Sequence, residues 1–326
     1  MTMRTQCLMA ASLLFLTQAA FADDYAAAFK AKRYQDVERM ANAALAIDPR
    51  DPRALRAKAD ALLSTAPDTR LDEALKLAEQ CVAAHPKESI CHEALGNVLG
   101  TKALNAGIFS AMGYAGKIRD AFRTAVDLDP ANVSAKFSLA QYYLAAPGIV
   151  GGGVDKAQAL AAETGKTNPA AASVLLAMID VQNDDLGKAE GRALSFAPSK
   201  VDDLANQQRD VWWSIGQSYV QTKKFTDADR VFRTMQTRYP DSELGAYGLA
   251  RTLQEQGQHS NALPLFEQAT TLAPRAVIYY RMAQSLQATH ADATASAAYT
   301  RALALRPALG KKMREDAVKQ VKLLKN

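Results

Sequence analysis

The sequence is poor in the residues that carry most chemistry. Among 326 residues there are only 3 cysteines and 4 histidines. Neither Cys81 nor Cys91 belongs to a Cys-x-x-Cys or Cys-x-x-Cys-His unit, which argues against redox catalysis and covalent haem. Together with His85 and His92 they match no familiar zinc spacing, so no metal site is read here. No Gly-x-Ser-x-Gly elbow and no His-Glu-x-x-His helix occurs. "GYAGKI" has the wrong glycine spacing for a phosphate loop, and Ile118 stands where Ser or Thr is needed. Carboxylates such as Asp202 and Asp203 read as a solvated helix start. The chain therefore reads as non-enzymatic, with no cofactor and no catalytic residue.

Other scarcities bound the fold. Aromatics are 7% of the chain and β-branched runs bounded by turn signals are rare, which leans all-helical. The 39 basic residues outnumber the 34 acidic ones only mildly, for a formal net charge of +5. Acids and bases are mixed, without the one-sided stripe expected of a nucleic-acid binder. Past the first residues no window is apolar enough for a membrane-spanning helix. Those first residues read separately. "MTMRTQ" carries Arg4, "CLMAASLLFL" is a short apolar run, and Ala20-Phe21-Ala22 is a small-x-small triplet. Residues 1–22 are expected to be a signal peptide cleaved between Ala22 and Asp23, giving a periplasmic or secreted protein.

What the chain does contain is order at long range. "WWSIGQSYVQTKKFTDADRVFRTMQTRYPD" places Trp212, Gly216, Tyr219, Ala228, Phe232 and Pro240 at set intervals. The next segment repeats the pattern 34 residues later with Ala246, Ala250, Leu253, Ala262, Phe266, Ala269 and Pro274. A third copy has Tyr279, Ala283, Leu286, Ala295, Tyr299, Ala302 and Pro307. Looser copies precede these. Tyr34, Val37 and Ala44 lead to Pro49; Leu55, Ala59, Leu62, Ala74, Ala78 and Cys81 lead to Pro86; His92, Gly96, Leu99, Ile118, Phe122 and Ala125 lead to Pro130. Another copy has Ala140, Tyr143, Ala157, Ala161 and Pro169, and "VLLAMIDVQNDDLGKAEGRALSFAPSK" is degenerate.

These segments resemble tetratricopeptide repeats: a large residue early in a first helix (A) and a small one four later. A second helix (B) then carries a small residue, an aromatic, a small residue and a closing proline. The resemblance implies an all-α, right-handed superhelical solenoid of antiparallel helix pairs over residues 23–326, with roughly 7–8 repeats. Residues 308–326 are expected to form a capping helix with Leu309, Met313, Ala317, Val321 and Leu324 on one face. Its positive charge raises anionic lipid or nucleic acid as partners, but a solvated cap explains it.

In such arrays helix A lines a concave groove. The outward groove place holds Phe137, Trp213, Tyr247 and Tyr280, with Glu93 in an earlier copy; four residues on come Gln141, Gln217, Arg251, Gln284 and Asn97. An aromatic paired with a polar residue one turn later suits an extended peptide with an accessible backbone. The competing reading is that the aromatics pack against the next helix. The expected function is a cell-envelope scaffold binding a peptide or protein segment through Phe137, Gln141, Trp213, Gln217, Tyr247, Arg251, Tyr280 and Gln284. The alternative is a carbohydrate- or polysaccharide-handling scaffold of an envelope or export assembly. Cys81 and Cys91 flank the bend at Pro86, which allows either a disulfide or two buried thiols. Two long connections, "GTKALNAGIFSAMGYAGK" and "AAPGIVGGGVDK", are expected to bring Ile108, Phe109, Met112, Ile149 and Val150 together as an apolar rim, either covering helices or docking a partner.

Overall fold

The computed structural model describes residues 25–65, 69–106, 108–199 and 201–324, with the side chains of 108–110 excepted. The expected signal peptide and its cleavage site lie outside the described residues. The chain divides into two compact units, Met1–Ser138 and Leu139–Asn326. The described residues of both are helices and turns, without a strand.

In the first unit a helical segment, α1 (25–30), precedes α2 (Tyr34–Ile47), α3 (Pro52–Thr65), α4 (Leu71–Ala84), α5 (Ser89–Asn105) and α6 (Ile108–Leu128). From α2 to α6 each helix packs on the next, and α3 also touches α5. That second contact is the mark of stacked hairpins, in which the A helices form a row and the B helices cover it. Val37, Ala41, Ala54, Ala57 and Ala61 form one buried cluster, and Ala59, Leu62, Ala74, Ala78, Ala94 and Val98 form the next. Small residues dominate because the helices approach closely: a Cβ on Gly96 would overlap the Phe122 ring.

α7 (Val133–Ala145) crosses the division between units. The second unit continues through a short 3₁₀ turn (Gly148–Val150), α8 (Val154–Gly165), α9 (Pro169–Gln182), α10 (Leu186–Leu194) and α11 (Asp202–Gln221). It ends with α12 (Phe225–Arg238), α13 (Glu243–Glu255), α14 (His259–Leu272), α15 (Ala276–Ala288), α16 (Asp292–Ala304) and α17 (Lys311–Leu323). Sequential helices pack as hairpins, and α9, α11, α13 and α15 touch in turn as the row of A helices. Trp212 is fully buried, with the Arg238 guanidinium 5.8 Å from its ring centre. Phe232 fills the gap between two hairpins so closely that a Cβ on either Gly216 or Gly248 would overlap its ring. Pro49, Pro86, Pro130, Pro240 and Pro274 each stand two residues beyond a helix end, where a missing N–H and a fixed φ stop continuation. Pro169 differs: it is the first residue of α9, where its missing donor costs nothing, and Asn168 caps that helix by accepting from the Ala171 N–H.

Three expectations change. The first long connection is largely helix, since α5 runs to Asn105 and α6 begins at Ile108. In the second, a Cβ on Gly152 would overlap the Ala146 carbonyl oxygen, and Gly151 and Gly153 have φ of 94° and 146°. The glycines there make a tight turn, closed by the Gly153 N–H donating to the Tyr143 carbonyl at 2.8 Å. Met112 and Ile149 are exposed and Val150 is half-buried, while the side chains of Ile108 and Phe109 lie outside the described residues. On α17, Ala317 and the preceding Leu309 are buried and Val321 and Leu324 are partly so. Met313 is 38% exposed and leaves that face.

Candidate binding groove

The sequence-selected residues fall on the A helices but differ in what they can touch. Phe137 belongs to the first unit and is 1% exposed, so it serves packing. Gln141 is exposed. Trp213 is half-buried, stacked on Tyr247 at 5.3 Å between ring centres with planes 12° apart, and tilted against Phe232 at 5.6 Å. Tyr247 is itself buried against Phe266 at 6.3 Å. Tyr280 is buried against Tyr299 at 5.8 Å, and its hydroxyl donates to Asp316 of α17 at 2.8 Å. Gln284 Nε2 donates to that same Tyr280 oxygen at 3.1 Å. Trp213 and Tyr247 thus tie α11 to α13, while Phe232, Phe266 and Tyr299 back the aromatics from the B helices. Trp213, Arg251, Gln284 and Gln141 keep accessible surface.

The polar atoms one turn on are unevenly satisfied. Gln217 is 8% exposed, and its Nε2 has no hydrogen-bond partner among the described residues; the same holds for Arg251 Nε. They occupy the same register place on α11 and α13. Burial lowers the guanidinium pKa of Arg251, and the like charge of Arg281 adds to it. Neighbouring arginines are committed elsewhere: Arg275 donates to Glu243 at 3.0 Å, and Arg281 donates to Glu255 at 3.0 Å and to Gln254 at 3.2 Å. Burial raises the Tyr247 phenol above its usual range, with Arg251, Arg281 and Arg275 opposing the shift. In Tyr280 burial, aided by the hydrogen bond to Asp316, raises the phenol to about 12.

A cavity of about 290 Å³ opens beside this row, between α7, α9 and α11 within the second unit. Its floor is Leu144, Met178, Val181 and Val211, and its polar lining is Gln141, Gln182, Gln207, Asp210 and Ser214. Apart from Gln141, these residues did not emerge from the repeat alignment. Gln207, Asp210 and Ser214 share one face of α11 by their three- and four-residue spacing, which was the available signal. A larger cavity, about 440 Å³, lies in the first unit among α4, α5 and α6 with Leu75, Tyr114 and Lys117 on its walls; α4 and α6 are B helices, so it is no part of the groove.

The corresponding face of the first unit is self-satisfied. Glu93 is buried, accepting from Asn132 Nδ2 at 3.0 Å, Ser134 Oγ at 2.6 Å and Arg56 Nη2 at 3.4 Å. Arg56 Nε also donates to Asp60 at 3.2 Å. At the bend after α4, a disulfide joins Cys81 to Cys91 with Cα atoms 5.3 Å apart. Their sulfurs are thereby withdrawn from metal ligation. His85 and His92 each bond a backbone carbonyl, of Arg50 and Pro86.

Residues 210–242 and 246–275 each match a tetratricopeptide repeat family model. No curated protein matches the sequence. Among solved structures, a tetratricopeptide repeat protein from Parabacteroides merdae is 13% identical, with 94% of this chain and 98% of that one covered and a TM-score of 0.45. The human IFIT1 dimer with m7Gppp-AAAA is 16% identical with a TM-score of 0.52, over 90% of this chain and 59% of that one. The Cut9–Hcn1 hetero-tetramer is 15% identical, covering 89% and 52%, with a TM-score of 0.44. No described helix is long and apolar enough to cross a membrane.

Proposed function

Because this chain is a tetratricopeptide-repeat protein, we propose that it is a non-enzymatic scaffold whose second unit holds an extended protein segment along the α9–α11–α13–α15 row. The observation that carries this reading is the pair of orphaned donors, Gln217 Nε2 and Arg251 Nε, at equivalent places on consecutive A helices. Leaving a buried donor unpaired costs about 1–3 kcal/mol, and a bound segment's carbonyl or carboxylate oxygens would remove that cost at both places. Gln141, Trp213 and Gln284 supply further accessible contact, while Tyr247 stacks on Trp213 across α11 and α13 and Tyr280 is tied to α16 and α17. Phe137 supports the fold rather than the contact. The Cys81–Cys91 bond supports an oxidising compartment, the periplasm or outside the cell.

The test is selection from a displayed random-peptide library by the wild type and by Gln217→Leu/Arg251→Ala. The wild type should enrich binding sequences, and the double variant should lose them with unchanged circular dichroism. Failure of the wild type to enrich any peptide overturns the reading. The carbohydrate alternative rests on the same aromatic–amide pairing, and glycan-array binding without peptide selection would favour it. It is the weaker reading, because Trp213 is already engaged by Tyr247 and Phe232 and offers a sugar little free ring.

A further inference from the structure

We propose that the cavity between α7, α9 and α11 is a specificity pocket of this groove, receiving a lysine or arginine side chain of the bound segment with Asp210 as counter-ion. This rests on the groove reading and adds to it the charge of the partner. Asp210 is the one ionisable side chain in the cavity's lining. It has no hydrogen bond or ion pair among the described residues, although two arginines are near enough to affect it. Both are engaged elsewhere. Arg275 is paired with Glu243 at 3.0 Å, a neutral unit. Arg209 donates to Asn206 and has its guanidinium carbon 5.8 Å from the Tyr239 ring centre.

The remaining walls fit a long cationic side chain better than a small ion or an acid. Leu144, Met178, Val181 and Val211 offer an apolar path for methylenes, and Asp210 with the glutamine oxygens and Ser214 offers acceptors for the charged end. An incoming carboxylate would meet Asp210 as a like charge. Asp210 is exposed on α11 at the cavity's edge, so its carboxylate is open to an incoming cation and can make a charge-assisted contact with it.

The experiment uses the full chain and the same displayed random-peptide library. Peptides enriched by the wild type should share a lysine or arginine at one position. A synthetic peptide with norleucine there should bind about tenfold more weakly, the order of one charge-assisted hydrogen bond. Asp210→Asn should bind the lysine and norleucine peptides equally. If peptides are enriched without a shared basic position, or if Asp210→Asn still prefers lysine as the wild type does, the pocket is overturned and the groove stands. If the wild type enriches nothing, the groove reading falls and the pocket with it.

Discussion

Asp60 is a carboxyl whose environment strongly disturbs its chemistry. It stands on the first unit's A-helix face, 3.2 Å from Arg56 Nε, with Glu93 beyond. Burial raises its pKa to about 6; Arg56 opposes the shift, and the Glu93 charge adds to it. A carboxyl raised on folding binds its proton more tightly in the native chain than in the unfolded one, so ionising it works against the fold. Its contribution to stability is therefore greatest below the usual carboxylate range, falls as pH rises from about 4 to about 6, and stays lowered above. With 22% of the side chain still exposed, the effect is on the order of 1–3 kcal/mol. Asp60→Asn should gain on the wild type by that amount between about pH 4 and about pH 7 in urea unfolding. A constant difference across that window would show that Asp60 titrates normally. Gly216 and Phe232 carry the opposite lesson at this scale. The fit of Gly216 to Phe232 could be read from letters alone, because the pattern demands a small residue where an aromatic ring must lie. Gly248 stands outside the pattern places, and its closeness appears only in the packing.

Five hairpins turn at a left-handed residue, which in four of them the sequence does not advertise. Lys32, Asp184, Lys223 and His290 have φ between 55° and 59°, and Gly257 has 74°. Each stands two residues before the start of a B helix, at α2, α10, α12, α16 and α14. The turn is closed the same way each time, as when the Lys224 N–H donates to the Tyr219 carbonyl at 2.9 Å. Only Gly257 suits the left-handed backbone. A side chain there costs about 1 kcal/mol. His290→Gly should accordingly stabilise the chain by roughly 0.5–1 kcal/mol, and Gly257→Ala should cost a similar amount in denaturant unfolding. Loss of stability in His290→Gly would mean that the imidazole, not the backbone, matters there. The turn was hidden because it is a backbone requirement met by four different residue types. The degenerate repeat was hidden for a related reason. α10 is only 9 residues long and α11 is 20, so the register is absorbed by helix length. Gln208 stabilises the irregular link by donating to the Ala197 carbonyl at 3.0 Å and accepting from the Ser199 N–H at 3.3 Å. The extra turns of α11 carry Gln207 and lead into Asp210, so the cavity was missed where the repeat template had no counterpart.

At the scale of the molecule, the two units are stabilised by different means. The second unit contains both tryptophans, Trp212 and Trp213, and aromatic ties from Trp213 through Tyr247 to Phe266. The first unit has small-residue clusters, the buried Glu93 network and the Cys81–Cys91 bond between α4 and α5. That cross-link spans a sequence separation of 10 and removes chain entropy from the unfolded state, worth about 2.5 kcal/mol for so short a loop. Both sulfurs are fully buried against Leu55, so the reduced pair would remain packed and the main loss would be the constraint. Reduction should therefore lower protection of the α4 and α5 amides in native-state hydrogen exchange by roughly 60–100-fold, the same free energy expressed as a ratio. Amides of α12 to α15 should be unaffected, because stacked repeats pass stability chiefly between neighbours. Peptide mapping without reductant should recover the two cysteines as one linked pair. A fall in protection spread evenly along the chain would instead mean that the bond sets the stability of the whole array, and that its repeats unfold as a single body.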